Sequence, residues 1–228
     1  MRRIAIVAAV SIFTISACGQ GFINLNFESA YSLPGNPPRP NGESVSVTNA
    51  TPGWTAYGAG EPYLDIYYVS NYFSGAATDV ELEGGSLALS GEFSVGLYQN
   101  GSISQTGSVP AEAASLQFEA EDPESNPGTL VPSDLNVTLG GQSLIYSLLS
   151  EGPDYSIYGA NIPSSLDGQT EALAFACEGP GSGNVLLDNI EFSPMSVPEP
   201  GPYGLIGVGV VLYGFWHFRL TTKNAKPA

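Results

Sequence analysis

Carboxylates are the one kind of reactive side chain this chain has in quantity. There are 22 Asp and Glu among 228 residues, against six Lys and Arg and one His. Residues 21–197 hold every acid except Glu199, and their only basic residue is Arg39. Arg2, Arg3, Arg219, Lys223, Lys226 and His217 all sit in the end segments. A Ser-His-Asp triad or an imidazole-ligated metal hydrolase is therefore excluded from the central segment, since both need histidine. The basic footprint of a nucleic-acid binder is missing, and an anionic lipid leaflet would repel this surface. Paired carboxylates can serve a glycosidase, but no pair stands in a recognisable arrangement, so the chain is expected not to be an enzyme. Divalent cations such as Ca2+ are natural small partners of a carboxylate-rich surface. The plainer reading is that the net charge keeps the protein soluble.

Aromatic side chains are the second resource. The stretch "GWTAYGAGEPYLDIYYVSNYF" concentrates Trp54, Tyr57, Tyr63, Tyr67, Tyr68, Tyr72 and Phe73. Exposed rings beside polar groups stack on sugars, which makes Trp54, Tyr57 and Tyr63 a candidate saccharide platform. Core packing and strand preference account for most such rings. Trp54, after Thr51-Pro52-Gly53, reads as an anchor entering a strand, whereas Tyr57 and Tyr63 lie among Gly and Pro and read as exposed. The two cysteines, Cys18 and Cys177, do not make a disulfide scaffold. Cys177 closes the apolar run "ALAFAC" and is expected to be a buried thiol acting as a small hydrophobe.

The elements that must position these groups are strands. Gly 28 and Pro 18 exceed ordinary usage, and Ser, Thr and aromatics are abundant, which suits short strands joined by many turns. Period-2 alternation marks "EFSVGLYQ", with Phe93, Val95 and Leu97 on one face. In "DLNVTLGGQSLIYSLL", Leu135, Val137 and Leu139 alternate up to Gly140-Gly141, and Leu144, Tyr146 and Leu148 return as the other arm of a hairpin. "ASLQFEA", "EALAFAC" and "NVLLDNIEFS" add three strands, separated by turn clusters such as "EDPESNPG" and "CEGPGSGN". Eight to ten strands over about 175 residues predict an all-β fold, a β-sandwich or jelly roll spanning residues 20–196.

The ends read as addresses. Arg2-Arg3, an apolar run from Ile4 to Ile15 and then small residues follow the layout of a secretory signal over residues 1–19. Cleavage before Gln20 is the expectation, by the general secretion route. The alternative is lipidation of Cys18, because "ISAC" is similar to a lipobox. Tyr203 to Phe218 is an uncharged run of about one membrane span. Tyr203, Tyr213 and Trp216 suit the interfaces, and the basic residues beyond are expected to stay cytoplasmic.

Val197-Pro198-Glu199-Pro200, followed by the apolar run and a basic end, resembles the PEP-CTERM sorting signal of Gram-negative bacteria, here over 197–228. Its basic residues are more spread out than is usual in that family. The resemblance implies a precursor held transiently in the inner membrane, a membrane peptidase (an exosortase) as processing partner, and delivery to the cell envelope or extracellular matrix. The opening "GFINLNFESA" and closing "NVLLDNIEFS" resemble the first and last strands of galactose-binding-like jelly rolls, which include many carbohydrate-binding modules. In such folds a structural Ca2+ often ties first strand to last, and the matching positions are Glu28 and Asp188. Asp188 shares strand parity with Ile190 and Phe192, so without a bulge it would face the core, where a carboxylate needs a cation or several donors. The expectation is an exported, non-catalytic envelope or matrix protein, with a module binding an exopolysaccharide as the alternative.

Overall fold

The computed structural model describes residues 21–34, 42–70, 78–121, 135–178 and 184–198. The expected signal segment 1–19, the apolar span 203–218 and the motif residues Glu199 and Pro200 lie outside these, as do Tyr72 and Phe73. Among the described residues no helix is long and apolar enough to cross a membrane.

Fourteen strands follow one another among the described residues. They are β1 (Glu43–Ser46), β2 (Thr55–Gly58), β3 (Glu61–Pro62), β4 (Asp65–Val69), β5 (Val80–Gly84), β6 (Phe93–Leu97) and β7 (Gly101–Ser108) in the first half. The second half holds β8 (Ser115–Glu121), β9 (Leu135–Leu139), β10 (Gln142–Ser143), β11 (Tyr146–Glu151), β12 (Ser156–Asn161), β13 (Thr170–Cys177) and β14 (Val185–Ser193). A single helical turn, Val47–Ala50, follows β1. The strands form two sheets, one of eight in the order β1-β4-β5-β6-β14-β8-β12-β11 and one of six in the order β10-β9-β13-β7-β2-β3. All pairs are antiparallel except β4 with β5. The described residues form an all-β sandwich, as the alternation predicts.

The alternating apolar residues meet between the sheets. Val95 and Leu97 of β6, Leu116, Phe118 and Ala120 of β8, and Val185 and Leu187 of β14 face Ile103, Val137, Leu139, Leu173 and Phe175 of the smaller sheet in one buried cluster. Phe118 sits at its centre, edge-on to Phe175 at 5.3 Å and stacked on Tyr158 at 5.8 Å. Such ring pairs add about 0.5–1.5 kcal/mol each beyond the area they bury. Cys177 lies in this core, as expected of a small apolar side chain.

Two expectations are corrected by non-local contacts. Gly140 and Gly141 do turn the chain, both with positive φ (59° and 72°, the left-handed region that glycine enters without strain). The returning arm, however, is only Gln142–Ser143; the chain then leaves for the other sheet, where Tyr146–Glu151 pairs with β12 instead. The segment "GFINLNFESA" is not a strand beyond a bridge from Gly21 to Ser108. It is held by the Gln105 carboxamide, whose Oε1 accepts from Ile23 N at 2.6 Å and whose Nε2 donates to Ile23 O at 2.9 Å.

Candidate functional site

The polar side chains of the large sheet collect on its outer face, because its alternate positions are committed to the core. Register places Glu83 of β5 opposite Ser94 of β6, and Asp188 of β14 opposite Glu119 of β8. Glu81 lies opposite Gly96. Burial then separates these acids into two groups.

The first group is Glu81, Glu83 and Tyr98. Alternation with Val80 and Leu82 points both acids away from the core, yet both are fully buried. The Tyr98 hydroxyl lies 3.1 Å from Glu81 Oε2 and 3.2 Å from Glu83 Oε1. Gly96 makes the approach possible, since a Cβ there would sit 3.1 Å from Glu83 Oε1 and 3.4 Å from the Tyr98 ring. Glu83 Oε2 is buried and has no hydrogen-bond partner. Burial first, and then the charge of Glu81, push the Glu83 carboxyl up to about 8. A protonated Oε2 turns the orphan acceptor into a donor. Tyr98 stays a neutral phenol, its pKa raised by burial and by the two acids.

The second group is built around Asp188. Sequence parity aims it at the core, but a bulge in β14 between Asp188 and Glu191 re-aims it. Asn189 takes φ 41° at the bulge, and Ile190 N donates to Leu25 O at 2.9 Å, so the N-terminal segment pins the irregularity. Asp188 thus faces outward while Ile190 stays in the core. Its Oδ2 accepts from Ser94 Oγ at 2.8 Å and Ser90 N at 3.4 Å, and its Oδ1 from Asn189 N at 2.7 Å. Ser90 Oγ lies 3.1 Å from Glu119 Oε2 and accepts from Asn189 Nδ2 at 2.6 Å. Burial raises Asp188 to about 6, opposed by the Ser94 hydroxyl and the Asn189 and Ser90 amides.

Glu28 grips the same connection from the other side. Its Oε1 accepts from Glu92 N at 2.8 Å and Phe93 N at 3.1 Å, over Gly91, where a Cβ would fall 2.1 Å from that oxygen. Glu28 and Asp188 therefore do tie the N-terminal segment and the last strand together, but through the 89–94 connection. N–H and O–H groups already point at Glu28 Oε1 and at both oxygens of Asp188, and a cation there would face their hydrogens. The arrangement does not fit the expected Ca2+, which needs six to eight oxygens. Among the described residues no group of three or more His, Cys, Asp and Glu could hold a metal.

The proposed saccharide platform is not assembled. Trp54 is 4% exposed, packs on Phe27 at 5.7 Å and donates from Nε1 to Asn24 O at 3.0 Å, so it is the core anchor and offers no ring to solvent. Tyr63 lies across Gly58 on the core side of β2 and donates to Asp79 Oδ2 at 3.0 Å. Tyr57 points to the opposite face of that strand. An open cavity of about 270 Å³ lies instead on the outer face of the large sheet beside the bulge, lined by Gln117, Glu119, Ile157, Asn189 and Glu191. Neither this cavity nor the buried pair was visible in the sequence; Glu81-x-Glu83 in an apolar alternation was the one available signal.

Val197 and Pro198 close the described residues. Val197 is buried, and its main chain is bonded to the Asn161 side chain, with Pro198 next and exposed. No family model matches the chain, and no curated protein matches it. Among solved structures it is similar to the crystal structure of the Agl-KA catalytic domain, at 12% identity and a TM-score of 0.37, over 54% of this chain. The chain spans about a quarter (26%) of that structure's length, and a likeness this distant bears on neither fold nor activity.

Two outcomes follow for stability. Glu83 and Asp188 hold protons in the folded state that the unfolded chain has lost, so stability falls as pH rises from about 4 to about 8 and levels off beyond. Thermal melts from pH 4 to 9 are expected to show this fall, and Glu83→Gln should flatten its upper part; an unchanged slope overturns the assignment. A chelator is expected to leave Tm unchanged while Glu28→Ala lowers it, because the Glu92 and Phe93 amides lose their acceptor. A chelator-induced drop in Tm would restore the calcium reading.

Proposed function

We propose that this chain is an exported, non-catalytic jelly-roll protein of the cell envelope or extracellular matrix, delivered as a membrane-held precursor and released by a processing peptidase of the exosortase type. The observation that carries this reading is the sequence order Val197-Pro198-Glu199-Pro200, then the uncharged run Tyr203 to Phe218, then the basic residues Arg219, Lys223 and Lys226. Among the described residues, Val197, directly before Pro198-Glu199-Pro200, is fastened to the fold by the Asn161 side chain. The physical logic of the motif agrees: proline cannot continue a helix and keeps the preceding residue extended, which suits capture in a peptidase cleft. The acidic, histidine-free surface supports a non-catalytic role.

A second reading, a carbohydrate-binding module on the same fold, is favoured by the cavity at the β14 bulge. Carboxamides and carboxylates from Gln117, Glu119, Asn189 and Glu191 offer donors and acceptors for vicinal hydroxyls, and Ile157 offers an apolar floor. The binding surface moves from Trp54, Tyr57 and Tyr63 to this face.

Replacing Pro198-Glu199-Pro200 with alanines is expected to leave the precursor uncut, read as the mass of the C-terminal end in producing cells. Normal maturation of that variant would refute the sorting reading. The secreted protein should bind at least one acidic or neutral glycan on an array, with Glu119→Ala plus Asn189→Ala abolishing the signal. No binding at millimolar sugar would retire the module reading.

A further inference from the structure

The chain leaving β14 does not simply run off the sandwich. Ala114 N donates to Ser193 O at 2.8 Å, Ser115 Oγ donates to Met195 O at 2.7 Å, and Asn161 bonds Val197 twice. Every second residue, 193, 195 and 197, is fastened, which is the period of an extended strand. The last fastening is the most specific. Asn161 Oδ1 accepts from Val197 N at 2.7 Å and its Nδ2 donates to Val197 O at 3.2 Å. One planar carboxamide thus satisfies both main-chain groups of one residue, as a neighbouring strand would. The Val197 side chain fills the space left by Gly159: a Cβ there would lie 2.8 Å from Val197 Cγ2 and 2.7 Å from Leu149 Cδ1. Pro198 follows at the rim of a largely apolar cavity of about 570 Å³ lined by Leu144, Ile145, Tyr146 and Pro163.

We propose that Asn161 is a positioning residue that makes the folded sandwich part of the sorting signal, holding Val197 so that a processing peptidase gains only the chain beyond it. The proposal rests on the sorting reading above. A peptidase takes its substrate as an extended strand several residues long, and residues 193–197 are already engaged as one. The fastening groups come from the Ala114–Ser115 start of β8 and from Asn161 at the end of β12, while the fastened chain continues β14. The strip up to Val197 is therefore fixed only after those three strands have assembled. Processing becomes coupled to completed folding, with Val197 as the C-terminal limit of the strip that the fold withholds from the peptidase. The reaction is ordinary peptide-bond hydrolysis, in which water supplies the hydroxyl of the new carboxyl group and a proton to the new amine.

The test compares the full-length precursor in detergent micelles with Asn161→Leu, which removes the carboxamide, and Gly159→Ala, which displaces Val197 from the opposite side. Hydrogen exchange is expected to show the Val197 amide protected at least about tenfold in the parent and unprotected in both variants, with β8 and β13 unchanged. In producing cells the parent should yield one C-terminal end beyond Val197, and both variants a several-fold lower yield or ragged ends reaching upstream of it. A Val197 amide that exchanges freely in the parent overturns the clamp. Loss of protection in the variants with the same single end at the same yield overturns the coupling and leaves the sorting reading standing. If the alanine replacement of Pro198-Glu199-Pro200 is also processed normally, the sorting reading itself has failed.

Discussion

The large sheet depends on the pairing of β14 with two strands at once. β14 lies between β6 and β8, so the β1-β4-β5-β6 half and the β8-β12-β11 half share a sheet only through this last strand. In place, it joins the Val95–Leu97 and Leu116–Ala120 faces into one surface over the smaller sheet. Because β14 comes from the C-terminal end of the described domain, this closure pairs segments far apart in sequence. Long-range pairing of this kind pays its loop-closure entropy before the core contacts repay it. The same strand carries the bulge that turns Asp188 outward and leads into the extended strip ending at Val197.

Burial, rather than the number of acids, distinguishes the carboxylates from one another. On a surface with so few cations, most acids remain solvated and contribute solubility. Glu81, Glu83 and Asp188 are exceptions, and each meets the cost of burial differently. Asp188 collects hydroxyl and main-chain donors and can remain charged near neutrality. Glu83 shares one phenol with a second acid and is better satisfied by keeping its proton. Among the described residues, hydroxyls and main-chain amides serve as partners of these acids.

The two ends of the sandwich are secured by the same device. Gln105 reads both main-chain groups of Ile23, and Asn161 reads both main-chain groups of Val197. Each hydrogen bond is worth about 0.5–1.5 kcal/mol net, enough to order a terminal segment that lacks a strand neighbour. A carboxamide suits this role because it supplies a donor and an acceptor in one plane and carries no charge to desolvate.

Local pattern was sufficient for the strands themselves. The alternation along β6, β8, β13 and β14, the Gly140-Gly141 turn and the buried thiol of Cys177 can all be read from residues a few positions apart. Strand periodicity and turn stereochemistry are properties of a short stretch of chain, so the sequence by itself determined them. Tertiary structure alone decided which strands are neighbours, that the hairpin after Gly141 breaks off to join the other sheet, that Trp54 is covered, and that Glu28 and Asp188 meet N–H and O–H donors. It also decided that Gln105 and Asn161 reach main-chain partners 82 and 36 positions away. Whether a carboxylate or a ring is solvated depends on which distant segment lies over it, and no local period records that.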